Sequence, residues 1–114
     1  MIHFVRTVDT PAEVKIEAWD NQMRLGEARA VRRQLPYGQT TAERVYAELM
    51  QLYVNEASRR NEVGTLLVNE VWGWARSRDY THVCVEASAV DKDVDSFYRK
   101  VGFTARSTVY DVAL

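Results

Sequence analysis

The hydrophobic and polar positions of this chain follow two different periods. Over much of the first half the period is two residues, as where Val14, Ile16 and Ala18 alternate with charged or aromatic neighbours. This alternation is typical of a half-buried strand. Clusters of turn-forming residues separate the alternating runs. The pattern therefore predicts four strands, at residues 2–8, 14–19, 23–35 and 46–54.

One of these four segments carries mixed signals. From Met23 to Leu35 the Ala and Arg residues favour a helix. Gly26 and the turn residues that flank the segment favour instead the second arm of a hairpin. We expect a strand here.

After residue 62 the apolar spacing becomes that of a helix. Apolar residues recur at this spacing from Val63 to Arg78, which predicts an amphipathic helix that covers one face of the sheet. Trp72 and Trp74 are expected to be packing residues of this helix. A second, shorter helix is predicted from Val94 to Val101, with Gly102 as its C-cap.

Two further strands are predicted around the second helix. Residues 81–87 are rich in β-branched side chains and predict a buried strand, in which Cys84 is expected to be an inert core residue. Residues 104–114 alternate and predict a terminal strand. Two helices thus interrupt a series of strands, so the sequence predicts a single α/β (α+β) domain over residues 1–114 with a mixed sheet.

Composition narrows the class of protein. The chain is 46% hydrophobic and 27% charged, as ordinary soluble domains are, and no apolar run is long enough to cross a bilayer. The N-terminus lacks an export signal, and one cysteine cannot form an internal disulfide, so we expect a cytoplasmic protein that does not bind a membrane. No metal site is expected, because His3, His82 and Cys84 lack ligand spacing.

The charge balance argues against nucleic acid as a partner. The formal net charge is -1, so no general positive field would attract a phosphate backbone. Arginines do cluster at positions 29, 32 and 33 and at positions 59 and 60. Nucleic-acid binding is therefore kept only as a minor hypothesis.

The junction between the fourth strand and the first helix is the candidate functional stretch. Residues 52–67 read LYVNEASRRNEVGTLL, and a strand there gives way to a polar loop and then to a helix N-terminus. The unpaired amides and the dipole of a helix N-terminus favour anions. The residues alone thus predict an anion site in this loop.

Three motifs occur in order around this junction. Residues 59–64 (RRNEVG) follow a strand and have the form Q/R-x-x-G-x-G/A with its first glycine replaced. The helix then carries Trp74-Ala75-Arg76 and leads through a turn to an apolar strand. Residues 97–103 (FYRKVGF) have the form F/L-Y-x-x-x-G-F. Together, from Tyr46 to Phe103, these motifs resemble the GNAT superfamily of acetyl-CoA-dependent N-acetyltransferases.

The resemblance implies a fold and a co-substrate. The implied fold is a mixed, mostly antiparallel twisted sheet of about six to seven strands with two main helices. Acetyl-CoA is the implied co-substrate, with its pantetheine arm along the fourth strand and its pyrophosphate on the loop and helix N-terminus. The implied cofactor-binding residues are Leu52, Tyr53, Val54, Arg59, Arg60, Asn61, Glu62, Val63, Gly64, Thr65 and Asp91.

The resemblance also implies direct attack of an amine on the thioester, assisted by a base and an acid. Glu48 matches the family's base by its distance from the signature, and burial on a central strand would disfavour its charged form, which suits a base. The alternatives are that it points to solvent or pairs with an arginine. Tyr98 matches the general-acid tyrosine, four residues before Gly102, and its alternative is a packed helix aromatic.

Three departures from the family pattern keep a second hypothesis open. Glu62 replaces the first signature glycine and would bring a carboxylate close to a phosphate. Asp91 stands where many members carry an asparagine that contacts the cofactor, and Val94 stands at a usual alanine. A short turn replaces the helical region between the first two strands. The alternative to an enzyme is therefore a catalytically degenerate binding or regulatory module with the same fold.

The short turn also bears on the amine acceptor and on partners. Without the helical region, the acceptor cleft is either open, which fits a protein or peptide amine, or covered by another subunit. An uncovered sheet edge or cleft fits a homodimer. The sequence does not specify which amine is the acceptor.

Overall fold

The computed structural model of this protein describes residues 1–34, 45–59, 62–85 and 92–103. A short 3-10 turn, Glu56–Ser58, lies between the fourth strand and the first helix. The strand predicted over residues 23–35, where helix and strand signals were mixed, is confirmed. Along the chain the main elements are β1 (Ile2–Asp9), β2 (Glu13–Asp20), β3 (Met23–Gln34), β4 (Val45–Val54), α1 (Val63–Ser77), β5 (Val83–Val85) and α2 (Lys92–Lys100).

The five described strands form one sheet in their order along the chain. β1 to β4 are antiparallel neighbours, whereas β5 lies parallel to β4 because α1 carries the chain back across the sheet. The predicted mixed, mostly antiparallel sheet with two main helices is therefore confirmed. The terminal strand predicted over residues 104–114 lies outside the described residues.

β3 is a strand although its composition suits a helix. It pairs with β2 on one side and β4 on the other over nearly its whole length. Its small residues Ala28 and Ala30 are buried and face α1. Two ladders of hydrogen bonds and a close helix contact outweigh a helix propensity that is worth only tenths of a kcal/mol per residue.

α1 covers one face of this sheet with its apolar stripe. Leu67, Val71 and Trp74 are completely buried against core residues that include Val14 and Ile16. Burying each such side chain contributes about 1.5 to 3 kcal/mol to the free energy of unfolding. The prediction that the tryptophans are packing residues is confirmed, because Trp72 also packs against the core, with its ring 5.8 Å from that of Phe103.

Only residues 10–12 separate β1 from β2, so the helical region is missing there, as predicted. This turn is tied to the C-terminal end of α1. Trp74 Nε1 donates to the Thr10 carbonyl oxygen at 3.2 Å, and the Tyr80 hydroxyl donates to the Pro11 carbonyl oxygen. Hydrogen bonds from Arg78, and then from Arg6, hold the pKa of Asp9 below its usual value.

The prediction for Cys84 is wrong. Its side chain is exposed, not part of the core. Alternation along β5 explains this, because Val83 and Val85 take the positions that pack against the core and the residue between them must point away. The structure describes β5 over these three residues only.

Both predicted helices are present, with ends that differ from the predicted ones by at most two residues. α1 begins at Val63 as predicted and ends at Ser77, one residue early. α2 begins two residues before the predicted start, and Gly102 has the positive φ of 112° that a C-cap glycine adopts. Within the described ranges, neither helix has the length and apolar character needed to cross a membrane.

Candidate functional site

The second half of β4 has a strand neighbour on one side only, as far as the described residues show. β5 pairs with Ala47 to Leu49 and with no later residue of β4. On the other side, β3 pairs with β4 as far as Val54. Among the described residues, the backbone of Met50 to Val54 therefore has no strand partner on its second side, and an extended ligand can add to such an edge.

A one-residue bulge lies in β4 directly after the residues that pair with the described part of β5. Leu49 pairs with Ala30, but the next pair joins Gln51 to Arg29, so Met50 is an extra residue in β4. A bulge leaves its residue without a ladder partner and turns the strand locally. The bulge thus leaves the backbone of Met50 without a ladder partner in β3.

The sequence contained a signal for this bulge that the predictions missed. The inward-facing apolar residues of β4 are Ala47, Leu49, Leu52 and Val54. Their spacing is two, then three, then two, and the extra residue in the middle is the bulge. Without the bulge, a strict two-residue period would place the apolar residues of the two halves of β4 on opposite faces of the sheet.

The end of β4 supplies three of the residues implied to bind the cofactor. Leu52 and Val54 pack partly against the core, whereas the Tyr53 side chain is 51% exposed on the other side. Arg59 Nε donates to the Val54 carbonyl oxygen at 3.1 Å, which folds the loop back on the strand end. The structure thus places the loop beside the end of β4.

The first backbone amides of α1 have no hydrogen-bond partner among the described residues. The first helical hydrogen bond joins Leu66 N to the Glu62 carbonyl oxygen at 3.1 Å, so the amides of Val63, Gly64 and Thr65 precede it. Within the described ranges, no side chain caps this end of the helix. Such amides, with the helix dipole, attract an anion. Arg60 and Asn61, also implied to bind the cofactor, lie outside the described residues.

Glu62 has the backbone conformation of a glycine. Its φ of 60° and ψ of 19° lie in the left-handed region, and its side chain is exposed at the start of α1. A residue with a Cβ adopts this conformation at a cost of roughly 1 kcal/mol, whereas glycine adopts it freely. The signature glycine that the family carries here therefore has a conformational reason, and this chain keeps the conformation without the glycine.

α2 brings the third motif against the first. The ring of Phe97 lies against the backbone of Gly64. Tyr98 is half-buried, with ring contacts of 5.2 Å to Phe97 and 5.4 Å to Phe103 between centroids. Burial raises the pKa of the Tyr98 phenol above its usual value of 10.0. Asp91, which directly precedes α2 in the chain, lies outside the described residues.

Glu48 lies on the face of the sheet opposite α1. Arg33 Nε donates to Glu48 Oε2 at 3.1 Å, and Arg33 Nη2 lies 3.8 Å from Met50 Sδ. Glu48 thus pairs with an arginine, which was one of the two alternatives to a catalytic role. Its role as a base stays a prediction. Tyr98 packs against the core on the α1 side, so the two candidate groups flank β4 from opposite faces.

Neither Arg33 nor Met50 was among the residues predicted for the site. The sequence placed Arg33 only in a cluster of solvated arginines. A cross-strand ion pair depends on the register of β3 against β4, which sequence periodicity does not specify. Within the described ranges no group of His, Cys, Asp and Glu side chains could hold a metal ion.

Comparison with known proteins supports the reading of these motifs. The family described as "Acetyltransferase (GNAT) domain" matches residues 16–105. The aminoglycoside 6'-N-acetyltransferase AAC(6')-IG of Acinetobacter haemolyticus superposes with a TM-score of 0.76 at 21% identity, over 90% of this chain and 70% of its own. A putative acetyltransferase of Agrobacterium tumefaciens gives 0.76 at 22% identity, over 92% and 71%. No curated protein sequence matches the chain.

Proposed function

Because this chain belongs to the GNAT acetyltransferase family, we propose that it transfers the acetyl group of acetyl-CoA to a primary amine. The observation that carries the proposal is the combination at the end of β4. Among the described residues, the strand end after the Met50 bulge has a neighbour on one side only, and the first amides of the following helix, α1, have no partner. An extended chain that ends in a pyrophosphate fits both parts.

The described residues fit such a co-substrate. The edge from Met50 to Val54 would hold the pantetheine amides as an added strand does. The amides of Val63, Gly64 and Thr65 would hold the pyrophosphate, and Arg59 adds positive charge beside them. The exposed carboxylate of Glu62 opposes this binding, but its side chain has solvent around it and screening weakens the repulsion.

The chemistry assigns one role to each candidate group. Glu48, a carboxylate bound to Arg33, accepts the proton that the attacking amine loses as its nitrogen bonds to the thioester carbon. The backbone N–H groups at the Met50 bulge stabilise the negative charge that develops on the carbonyl oxygen. When the C–S bond breaks, the thiolate receives a proton from Tyr98.

The raised pKa of Tyr98 is compatible with that last step. A phenol with a pKa above 10.0 is fully protonated at neutral pH and is therefore available as a donor. A thiol has an ordinary pKa of about 8.5, so proton transfer from Tyr98 is uphill and the hydrogen bond to the developing thiolate is the larger contribution. Tyr98 then recovers its proton from solvent.

A thermal-shift titration tests the co-substrate first. Acetyl-CoA that binds only the folded chain must raise the midpoint, by an amount that grows with concentration. Acetyl-pantetheine, which has the thioester arm without the phosphates, is the matched ligand, and we expect it to give a smaller shift. Release of free thiol in the presence of a panel of amines then measures transfer. No shift at millimolar acetyl-CoA contradicts the proposal.

A second candidate is a module of this fold that binds without turnover. Glu62 favours it, because this side chain stands at the mouth of the anion site in a conformation that glycine would adopt at no cost. The two candidates differ in one result. A midpoint shift with acetyl-CoA, combined with no thiol release for any amine of the panel, supports the binding module over the enzyme.

A further inference from the structure

The sheet face opposite α1 is charged, and no described element covers it. We call it the open face, the side of β2, β3 and β4 that carries Lys15, Glu17, Glu27, Arg29 and Glu48. These positions alternate with the buried residues of the same strands. Both helices pack on the other face, through residues that belong to or contact the core.

Charges on the open face are arranged in rows across the strands. Lys15 lies directly opposite Arg29, which forms a basic row, and Glu17 lies directly opposite Glu27, which forms an acidic row next to it. Like charges that face each other directly across two strands destabilise a sheet. Two such pairs in adjacent rows need opposite charges from elsewhere.

Contacts within the chain neutralise the two rows only in part. Arg24 serves both carboxylates of the acidic row, at 3.4 Å from Glu17 and also in contact with Glu27. In the basic row Arg29 pairs with Glu13. Lys15 is exposed and forms no ion pair with the described residues. The acidic row thus keeps a surplus of negative charge, and the basic row keeps a free cation.

We propose that the open face binds a second copy of this chain. The two copies are related by a two-fold axis that runs across the strands, between the acidic and the basic row. This axis reverses the strand direction and keeps the strand order, so β2 faces β2 and β3 faces β3. Glu17 of each copy then faces Lys15 of the other, and Glu27 faces Arg29. A two-fold axis parallel to the strands would instead place the acidic row of one copy against the acidic row of the other. Repulsion between these like charges excludes that axis.

The expected interface is small. The three strands of the open face, about 4.8 Å apart and about eight residues long, give roughly 400 Å² on each copy, or about 800 Å² in all. That is below the standard size for a stable complex, so we expect a weak dimer that forms at tens of micromolar. In this arrangement the partner covers the open face beside Glu48. The pairing itself does not depend on acetyl transfer.

Sedimentation equilibrium of the whole chain, from about 1 to about 200 µM, tests the proposal. We expect a dimer at the higher concentrations that weakens when NaCl is raised from about 0.05 to about 0.5 M. Lys15→Glu and Glu17→Lys should each raise the dissociation constant about tenfold or more. An equal mixture of the two variants should recover the dimer, because both contacts then join opposite charges. Asn69→Lys, at an exposed position of α1, is the matched control and should change nothing.

Three results would overturn this arrangement. The first is a wild-type chain that is monomeric at the highest concentration. The second is a dissociation constant that neither charge reversal changes. The third is an equal mixture of the two variants that does not form the dimer. If either reversal prevents folding, as judged by circular dichroism, Lys15→Gln and Glu17→Gln take its place. Each neutral variant should still weaken the dimer severalfold, and an unchanged dissociation constant for both contradicts the proposal.

Discussion

Gly64 and Phe97 join two motifs that lie 33 positions apart in the chain. A β-carbon added at residue 64 would lie 3.2 Å from Phe97 Cζ, which is tight but faces the end of a side chain. The first turn of α1 can therefore accept alanine here with a small shift of the ring. This agrees with a family signature that allows glycine or alanine at its last position.

Gly64→Ala should change the free energy of unfolding by less than about 1 kcal/mol, because better helix propensity offsets the tight contact. Gly64→Val should cost about 2 to 3 kcal/mol, since its γ carbons displace Phe97. Gly26→Ala is the contrast, because a β-carbon there would clash with the backbone carbonyl oxygen of Tyr53 and cost at least as much. Urea unfolding measures all three. Equal costs for Gly64→Ala and Gly26→Ala would show that the Phe97 contact is wrong.

Glu48→Gln should lower kcat roughly 10² to 10³-fold if Glu48 takes the proton of the amine, because the amide has no basic oxygen. The midpoint shift with acetyl-CoA should persist, since Glu48 is not among the groups proposed to bind it. Glu13→Gln is a matched control, as Glu13 pairs with Arg29 on the same face and should keep wild-type turnover. Equal losses in both variants would assign the effect to the ion pairs of this face and not to proton transfer.

Tyr98→Phe should lower kcat about tenfold to a hundredfold and leave the acetyl-CoA midpoint shift nearly unchanged. The ring that contacts Phe97 and Phe103 is retained, so only the hydroxyl is lost. Thiol release at saturating acetyl-CoA measures the turnover. Parallel losses of turnover and of cofactor binding would contradict the acid role.

The same variant has a second consequence, in alkaline stability. Because burial raises the Tyr98 pKa above 10.0, the folded chain holds this proton more tightly than the unfolded chain does. The contribution is fully present below pH 10.0 and is lost as the pH rises through the folded pKa. Between about pH 9 and about pH 11, Tm should therefore fall more in the wild type than in Tyr98→Phe.

The sequence was sufficient for elements whose period is strong. The spacing of apolar residues located α1 at its first residue, and alternation located β2 and β4. Alternation also contained the reason why Cys84 is exposed, but the segment was read as uniformly buried. Its two valines take the inward positions of β5, and a strand with one buried face has no inward place for the residue between them.

The parts of the site that the sequence did not predict depend on register. Arg33 meets Glu48 because Glu48 pairs with Val31, two residues before Arg33 on the same face of β3, and this register arises from pairing between distant segments. The elements of the proposed anion site, a strand, a loop and a helix N-terminus, were predictable because they are adjacent in the sequence. The charged rows of the open face likewise depend on how β2 pairs with β3.

Glu62 is where the candidate functions diverge, and two substitutions separate its effects. Glu62→Gly removes both the charge and the strained conformation, whereas Glu62→Gln removes the charge alone. Glu62→Gly should raise the free energy of unfolding by about 0.5 to 1 kcal/mol, because the left-handed backbone no longer carries a Cβ, and Glu62→Gln should leave it unchanged.

Binding of acetyl-CoA provides the other half of the test. If the Glu62 carboxylate repels the pyrophosphate, both variants should bind about tenfold more tightly, and the gain should shrink in high salt. If the Cβ itself keeps the phosphate from the amides of α1, Glu62→Gly should gain affinity and Glu62→Gln should not. Titration by thermal shift distinguishes these outcomes. Unchanged affinity in both variants would mean that the phosphate does not reach the start of α1, and the proposed cradle would then be wrong.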